Sequence, residues 1–253
     1  MNRSKADART DAAGMVKAHW EDPRIARGMR AQLGLLRKRL QDGDTLLGWK
    51  VGFGAPAAME KLGINAPLVG FLTQRARLES GATVSLAGWM KPAAEAEIAV
   101  QMRTELAGGA DRDAAKAAIA GVGPAIELAD VDFPPDDVEA ILAGNIYQRH
   151  VILGACDPSR AGCVLDGLTA RISRDGAEVA RTSDPQAATG ELVDIVRHVA
   201  GVLSAFGHTL RAGEVIITGS ITPPLWIESD RTIAFTLDPI GDIDVHFTGR
   251  VTR

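Results

Sequence analysis

Lys91-Pro-Ala-Ala-Glu95-Ala-Glu97-Ile-Ala-Val-Gln-Met102 is the stretch on which the reading of this chain turns. Ile98, Val100 and Met102 alternate as a strand does, and the run from Glu95 to Met102 is expected to be extended. Successive strand side chains point to opposite faces, so Glu95 and Glu97 share one face. Two carboxylates side by side repel each other, and burying them costs several kcal/mol unless something compensates. A divalent cation is the simplest compensation, and an all-carboxylate set suits a hard ion such as Mg2+ or Mn2+ rather than zinc. The spacing alone leaves a second reading open, a strand edge carrying two solvated acids.

Outward from this stretch the chain divides by periodicity. Residues Asp11 to Trp20 are Ala-rich and read as helix, and a second helix is expected to begin at Pro23. Its apolar stripe is Ile25, Met29, Leu33, Leu36 and Leu40, closed by Gly43. Leu46 to Phe53 reads as a glycine-interrupted strand, and Ala57 to Leu62 as a short helix. From about Leu68 the pattern turns mostly to β. Strands are expected at Thr83–Leu86, Glu95–Met102, Ala125–Val131, Cys163–Ser173, Glu178–Thr182, Glu214–Thr218, Thr232–Leu237 and Ile243–Phe247. Arg174-Asp-Gly-Ala177 is a hairpin turn signal. Helices are expected at Asp113–Ala120, Asp136–Gly144 and Thr189–Phe206, the last with a stripe of Leu192, Ile195, Val196, Val199 and Leu203. The expected class is α+β: a helical N-terminal part over residues 1–75, then a β-rich catalytic core over residues 76–253, the two forming one catalytic unit.

Composition narrows the function. The chain has 253 residues, 46% hydrophobic and 24% charged, as an ordinary globular protein does. The net charge of −4, with no basic run beyond Arg37-Lys38-Arg39, argues against nucleic acid. No apolar stretch is long enough to span a bilayer, and the polar N-terminus lacks a signal peptide's apolar core. Two cysteines, Cys156 and Cys163, make no disulfide framework and point to a reducing cytoplasm. The five histidines are scattered without ligand spacing, and no GxSxG, P-loop or GxGxxG sequence occurs.

Three further regions carry chemistry. Glu127 lies in the apolar run Gly123-Pro-Ala-Ile-Glu-Leu-Ala-Asp130; with Glu95 and Glu97 it would complete a three-carboxylate set that leaves ion positions open for a chelating substrate. Taken alone it reads equally as a solvent-facing residue of an alternating strand. Lys50 sits in Gly48-Trp-Lys-Val-Gly-Phe-Gly54, where glycines permit close backbone approach. A lysine in apolar surroundings moves protons near neutral pH; a surface lysine on an edge strand is the other reading. Glu214 to Pro224 runs an apolar strand into Thr218-Gly219-Ser220, a turn able to hold a carboxylate through N–H groups and hydroxyls, or an ordinary strand end.

Taken in order, Gly48-Trp-Lys-Val-Gly52, Ala58-Met-Glu-Lys-Leu-Gly-Ile64, Glu95-Ala-Glu-Ile-Ala99, Pro124-Ala-Ile-Glu-Leu128 and Thr218-Gly-Ser-Ile-Thr-Pro223 resemble the 2-keto-4-pentenoate hydratase and 4-oxalocrotonate decarboxylase family. That family belongs to the fumarylacetoacetate hydrolase-like fold group. The resemblance covers residues 45–250 and implies a mixed β-roll core. It also implies an Mg2+ or Mn2+ ion held by Glu95, Glu97 and Glu127, a functional lysine at Lys50, 2-keto or 2-hydroxydienoate acid substrates, and a homo-oligomer. Gly219 and Ser220 would position the substrate carboxylate.

The chain also departs from the family pattern. Gly70-Phe-Leu-Thr-Gln-Arg75 lacks the usual acid, with Arg75 about in its place; Gly144-Asn-Ile-Tyr-Gln-Arg-His150 keeps only Asn145 of an Asp-Asn pair; Ala93 replaces a basic residue. Arg75, Tyr147, Gln148, Arg149 and His150 are therefore expected to line a remodelled substrate pocket, or to lie on the surface without special role. The resulting expectation is a metal-dependent hydratase. A decarboxylase, a C–C bond hydrolase or a catalytically silent acid binder are the alternatives.

Overall fold

The computed structural model describes residues 18–251. Residues 11–17 of the first expected helix lie outside that range; its last residue, Trp20, falls in a short 3-10 turn, His19–Glu21. The first α-helix, α1, runs Pro23–Gln41. Asp22 caps it by accepting from the Arg24 N–H at 2.9 Å, and Pro23 takes the first-turn position that needs no donor.

The chain then continues as β1 (Leu46–Gly52), α2 (Pro56–Leu62), β2 (Leu68–Thr73), β3 (Arg77–Leu78), β4 (Ala82–Ser85) and β5 (Pro92–Met102). After α3 (Arg112–Ala118) come β6 (Ile119–Asp130), α4 (Val138–Ala143), β7 (Gln148–Leu153), β8 (Thr169–Arg174) and β9 (Ala177–Thr182). The last elements are α5 (Leu192–Ala205), β10 (Val215–Ser220), β11 (Leu225–Trp226), β12 (Ser229–Asp238) and β13 (Gly241–Arg250).

Two sheets form. The larger runs β2-β1-β10-β5-β6-β7-β3, with β11 added on β5; the smaller runs β4-β13-β12-β8-β9. β1 lies between β2 and β10, so the larger sheet mixes strands from both sides of residue 75. Its two ends are drawn together at Asn145, just before β7. The Asn145 amide donates to the Phe71 carbonyl of β2 at 3.0 Å and accepts from the Phe71 N–H at 2.8 Å. One side chain thus does the work of a strand pairing, and the sheet curls into a roll, the mixed β-roll that the resemblance implies. A Cβ at Gly70 would stand 3.0 Å from the Asn145 Oδ1 and 2.9 Å from the Lys50 Cγ, so only glycine admits the join.

Alternation sorts the side chains. On β5 and β6, Ile98, Val100, Ile126 and Leu128 face outward into the main core, which includes Phe235 and Val245 of the second sheet. The α5 stripe expected from periodicity, Leu192 to Leu203, is buried in the same core. Each such side chain contributes roughly 1.5–3 kcal/mol through removal from water. Inside the roll a smaller cluster of Leu47, Leu72, Ala99, Ala125, Val215 and Ile217 fills the space.

One expectation needs correction, and two strands go beyond those expected. Cys163 to Leu168 is not strand; β8 starts at Thr169, after a turn at Asp166-Gly167. β2 is a fully buried strand, and its continuous apolar run lacks the alternation that marks a half-buried one. β7 is a strand across Gln148, Arg149 and His150, whose polar character hides it. The hairpin at 174–177 is present: β8 and β9 pair antiparallel, with Asp175 and Gly176 at φ 51° and 80°.

Candidate active site

The ladder of β5 and β6 sets Glu95 directly opposite Glu127, and Glu97 follows two positions along the same face. Carboxylate oxygens of all three lie within 4.8 Å of one another. Glu97 and Glu127 are 1% and 0% exposed, while Glu95 is half-buried and faces the cavity described below. These acids are therefore not the solvated edge that the spacing also allowed.

Lys50 projects into the same interior from β1, a central strand rather than an edge. It is 2% exposed, and its Nζ forms an ion pair with the Glu127 Oε1. A lysine alone among apolar groups is thus not what the structure contains. The ammonium also donates to the Ile146 carbonyl at 3.2 Å. That carbonyl sits in an unusual turn: Asn145, Ile146 and Tyr147 have φ of 59°, 53° and 61° in succession. A β-branched residue there is rare, and such residues cost about 1–3 kcal/mol each unless the surroundings hold them. The paired bonds from Asn145 to Phe71 supply that hold.

Three ionised carboxylates against one ammonium would leave two uncompensated negative charges. Electrostatics record the imbalance. Burial and the Glu127 charge push the Glu95 carboxyl up to about 7, with Lys50 opposing. Burial, Glu127 and Glu95 raise Glu97 well above the usual carboxylate range, while Lys50 and the Gly219 N–H work against them. The Glu127 Oε2 is buried without a hydrogen-bond partner. An orphaned buried carboxylate oxygen beside two strained acids fits a divalent cation, and the all-oxygen donor set fits Mg2+ or Mn2+.

The triad opens on a cavity of about 570 Å³, which Lys50, Glu95, Glu97, Tyr147, Gly219 and Ser220 help to line. Gly219 and Ser220 thus reach the cavity, but their donors are already engaged. The Gly219 N–H donates to the Glu97 Oε2 at 2.7 Å, and the Ser220 hydroxyl donates to the Thr222 carbonyl at 2.6 Å. The Tyr147 hydroxyl donates to the Phe133 carbonyl at 3.2 Å.

Arg75, Gln148 and Arg149 are not brought to this cavity. Arg75 lies in a 3-10 turn, and its guanidinium donates to the Asp42 carbonyl at 2.6 Å. Arg149 is paired with Asp130 at 3.1 Å, and both arginines border a separate cavity of about 220 Å³ with Arg39 and Asp44. Gln148 is buried, and its amide atoms have no hydrogen-bond partner. His150 is half-buried with its ring 6.1 Å from that of Trp89. Gln148 and Arg149 are successive residues of β7, whose pleat sends their side chains to opposite faces of the sheet, and Arg75 lies outside that strand. Sequence reasoning in turn missed three groups that do shape the site. The Ile146 carbonyl is a backbone atom with no residue-type signal. Trp226 reaches the cavity on β11, which pairs with β5, and Lys91 lines it from just before β5.

Residues 50–248 match the model of the fumarylacetoacetate (FAA) hydrolase C-terminal family. A 2-hydroxyhexa-2,4-dienoate hydratase of Comamonas testosteroni is 29% identical over 221 residues, covering 85% of this chain and 83% of that protein. A 4-oxalocrotonate decarboxylase of Pseudomonas putida is 26% identical, with coverage of 85% and 83%. The structure of 4-oxalocrotonate decarboxylase from Pseudomonas putida G7, complexed with magnesium and adipate, superposes with a TM-score of 0.80 at 25% identity, covering 88% of this chain and 86% of that one. The chain belongs to the fumarylacetoacetate (FAA) hydrolase C-terminal family.

Proposed function

We propose that this chain is a divalent-metal-dependent lyase of 2-keto or 2-hydroxydienoate acids, a hydro-lyase of the 2-keto-4-pentenoate hydratase type. The observation that carries the reading is the convergence of Glu95, Glu97 and Glu127 around one point, with Lys50 against them. The three carboxylates would hold the ion. When bound, it supplies Lewis acidity to the carboxylate and keto oxygens of a chelated 2-keto acid. Lys50, fixed by Glu127 and the Ile146 carbonyl, moves a proton to or from the substrate carbon chain. Gly219 acts on the reaction through Glu97, whose orientation its N–H sets. Ser220 faces the substrate carboxylate once its hydroxyl turns from Thr222. Val51, Ala129, Ile195 and Ile221 line the cavity with apolar surface, which keeps water away and strengthens each charge interaction.

Decarboxylation is the second reading, favoured by the likeness to the 4-oxalocrotonate decarboxylase structure. Both reactions use the same carboxylates and the same lysine, so an assay separates them: CO2 release against loss of dienol absorbance with water uptake.

We place the protein in the cytoplasm as a homo-oligomer. Both cysteines are free, as in a reducing compartment. No helix among the described residues is long and apolar enough to cross a membrane. Sedimentation velocity reads the oligomeric state.

Glu127→Ala tests the central claim. Mg2+-dependent turnover of a 2-hydroxydienoate should fall to background, and calorimetric Mg2+ binding should vanish, with the circular dichroism spectrum unchanged. Turnover that persists in EDTA would show the metal role to be wrong.

A further inference from the structure

The second cavity, of about 220 Å³, has no part in the proposed lyase chemistry, and guanidinium groups dominate its lining. Arg39 reaches it from the last turn of α1, Arg75 from the 3-10 turn that follows β2, and Arg149 from β7. Arg75 and Arg149 meet because β3, which follows that turn, pairs with β7. Both lie in stretches where the chain departs from the family pattern.

Each guanidinium is anchored at one point and keeps donors to spare. The Arg39 Cζ lies 5.1 Å from the centroid of the Phe71 ring. Arg75 donates through Nη2 to the Asp42 carbonyl at 2.6 Å. Arg149 holds its acids through Nη2 as well, 3.1 Å from the Asp130 Oδ2 and 3.6 Å from the Asp132 Oδ2. A guanidinium carries five N–H donors, so the other nitrogens can serve a ligand. Among the described residues, no carboxylate lies within ion-pair distance of Arg39 or Arg75.

Neither Asp130 nor Asp132 lines the cavity; among the described residues its one carboxylate is Asp44. Asp44 is buried, and its Oδ1 accepts from the Thr45 N–H at 2.8 Å and the Arg75 N–H at 3.1 Å. Burial opposes ionisation there, but hydrogen bonds, these two among them, hold the carboxyl below its usual range. Three donors and one ionised acceptor therefore face the same space.

We infer that this cavity binds a phosphate group that carries a P–OH, as free hydrogen phosphate or as the monoanion of a phosphomonoester. Three guanidinium forks arriving from three elements suit the oxygens of a tetrahedral anion better than the two coplanar oxygens of a carboxylate. Asp44 selects within that class. A P–OH donates a hydrogen bond to the Asp44 carboxylate. Sulfate has no proton to donate near neutral pH and meets the same carboxylate as a like charge. The inference stands apart from the lyase reading, since none of these residues touches the glutamate triad's cavity.

Calorimetry on the full chain tests it, with inorganic phosphate, methyl phosphate and sulfate titrated at pH 6 and one ionic strength. Phosphate should bind saturably, and sulfate about 10-fold or more weakly, the difference made by one hydrogen bond to a charged group. Arg75→Met should weaken phosphate about 10- to 100-fold with the circular dichroism spectrum kept. Asp44→Asn, whose amide oxygen still serves the two N–H groups, should close the gap between phosphate and sulfate. Glu127→Ala, which dismantles the triad, should leave phosphate binding as it is. Methyl phosphate bound as well as free phosphate identifies a monoester as the ligand, and methyl phosphate bound far more weakly identifies the free ion. No saturable phosphate binding, sulfate bound as tightly as phosphate by the wild type, or phosphate binding unchanged in Arg75→Met would each overturn the inference. So would phosphate binding lost in Glu127→Ala, which would put the anion at the triad.

Discussion

Inside the roll the same strands carry two contrasting regions a single step apart. Toward one end Ala99, Ala125, Val215 and Ile217 pack as a small apolar cluster, Ala125 on the rung it shares with Glu97. Two residues along the same faces of β5 and β6 stand Glu97 and Glu127, with Lys50 beside the latter. The ladder does not change between the two levels, since Glu97 pairs with Ala125 and Ala99 with Gly123 in one continuous register. What changes is only which side chains the pleat presents. An unbroken hydrogen-bonded sheet therefore holds groups that repel each other, anchored by a neighbouring plug that has every reason to stay closed. Stability and reactivity are assigned to adjacent rows of one scaffold.

Perturbing each row should separate the two assignments. The largest effect is expected on the charged row. Lys50→Met should lower kcat by about 100- to 10,000-fold, the usual range for loss of a positioned proton-transfer group, while Mg2+ affinity, read by calorimetry, is kept. A kcat within a few-fold of wild type would remove Lys50 from the chemistry. On the apolar row, Ile217→Ala should cost about 2–5 kcal/mol in denaturant unfolding, with the residual folded protein still binding Mg2+. Loss of metal binding without loss of stability would show that the rows are not separate.

The smallest effect concerns pH. The Glu95 carboxyl titrates at about 7 in the folded protein, above its ordinary 4.5. The folded state thus binds more protons than the unfolded state between those values, and metal-free stability falls as pH rises through that window. Saturating Mg2+ should cancel the fall, because the ion requires the ionised form. Thermal melts at pH 5 and pH 8, with and without Mg2+, read the difference. A metal-free protein that gains stability over this range would contradict the crowding of the acids.

The sequence made one row legible and hid the partner rows. Glu95 and Glu97 share a face because the strand period is two, and local sequence suffices to see that. That Glu127 lies opposite Glu95 depends on an antiparallel register across more than thirty residues, which no local pattern specifies. The family resemblance supplied that grouping where periodicity could not. Asp175-Gly176 was legible for another reason, since a two-residue hairpin demands positive φ at both positions. Arg75, Gln148 and Arg149 were misplaced because a departure from the family pattern was read as a remodelled pocket, whereas Gln148 and Arg149 lie on β7, paired on both sides, and Arg75 lies in a separate 3-10 turn. Lys91 went unnoticed since a lone lysine beside a proline says nothing until β11 brings Trp226 over it.

The amide of Asn145 has a consequence for assembly of the molecule. It is the seam along which the sheet meets itself, and the next carbonyl in the chain is the one that grips the Lys50 ammonium. The join that closes the sheet thereby also sets one of the two acceptors of that ammonium, the other being Glu127.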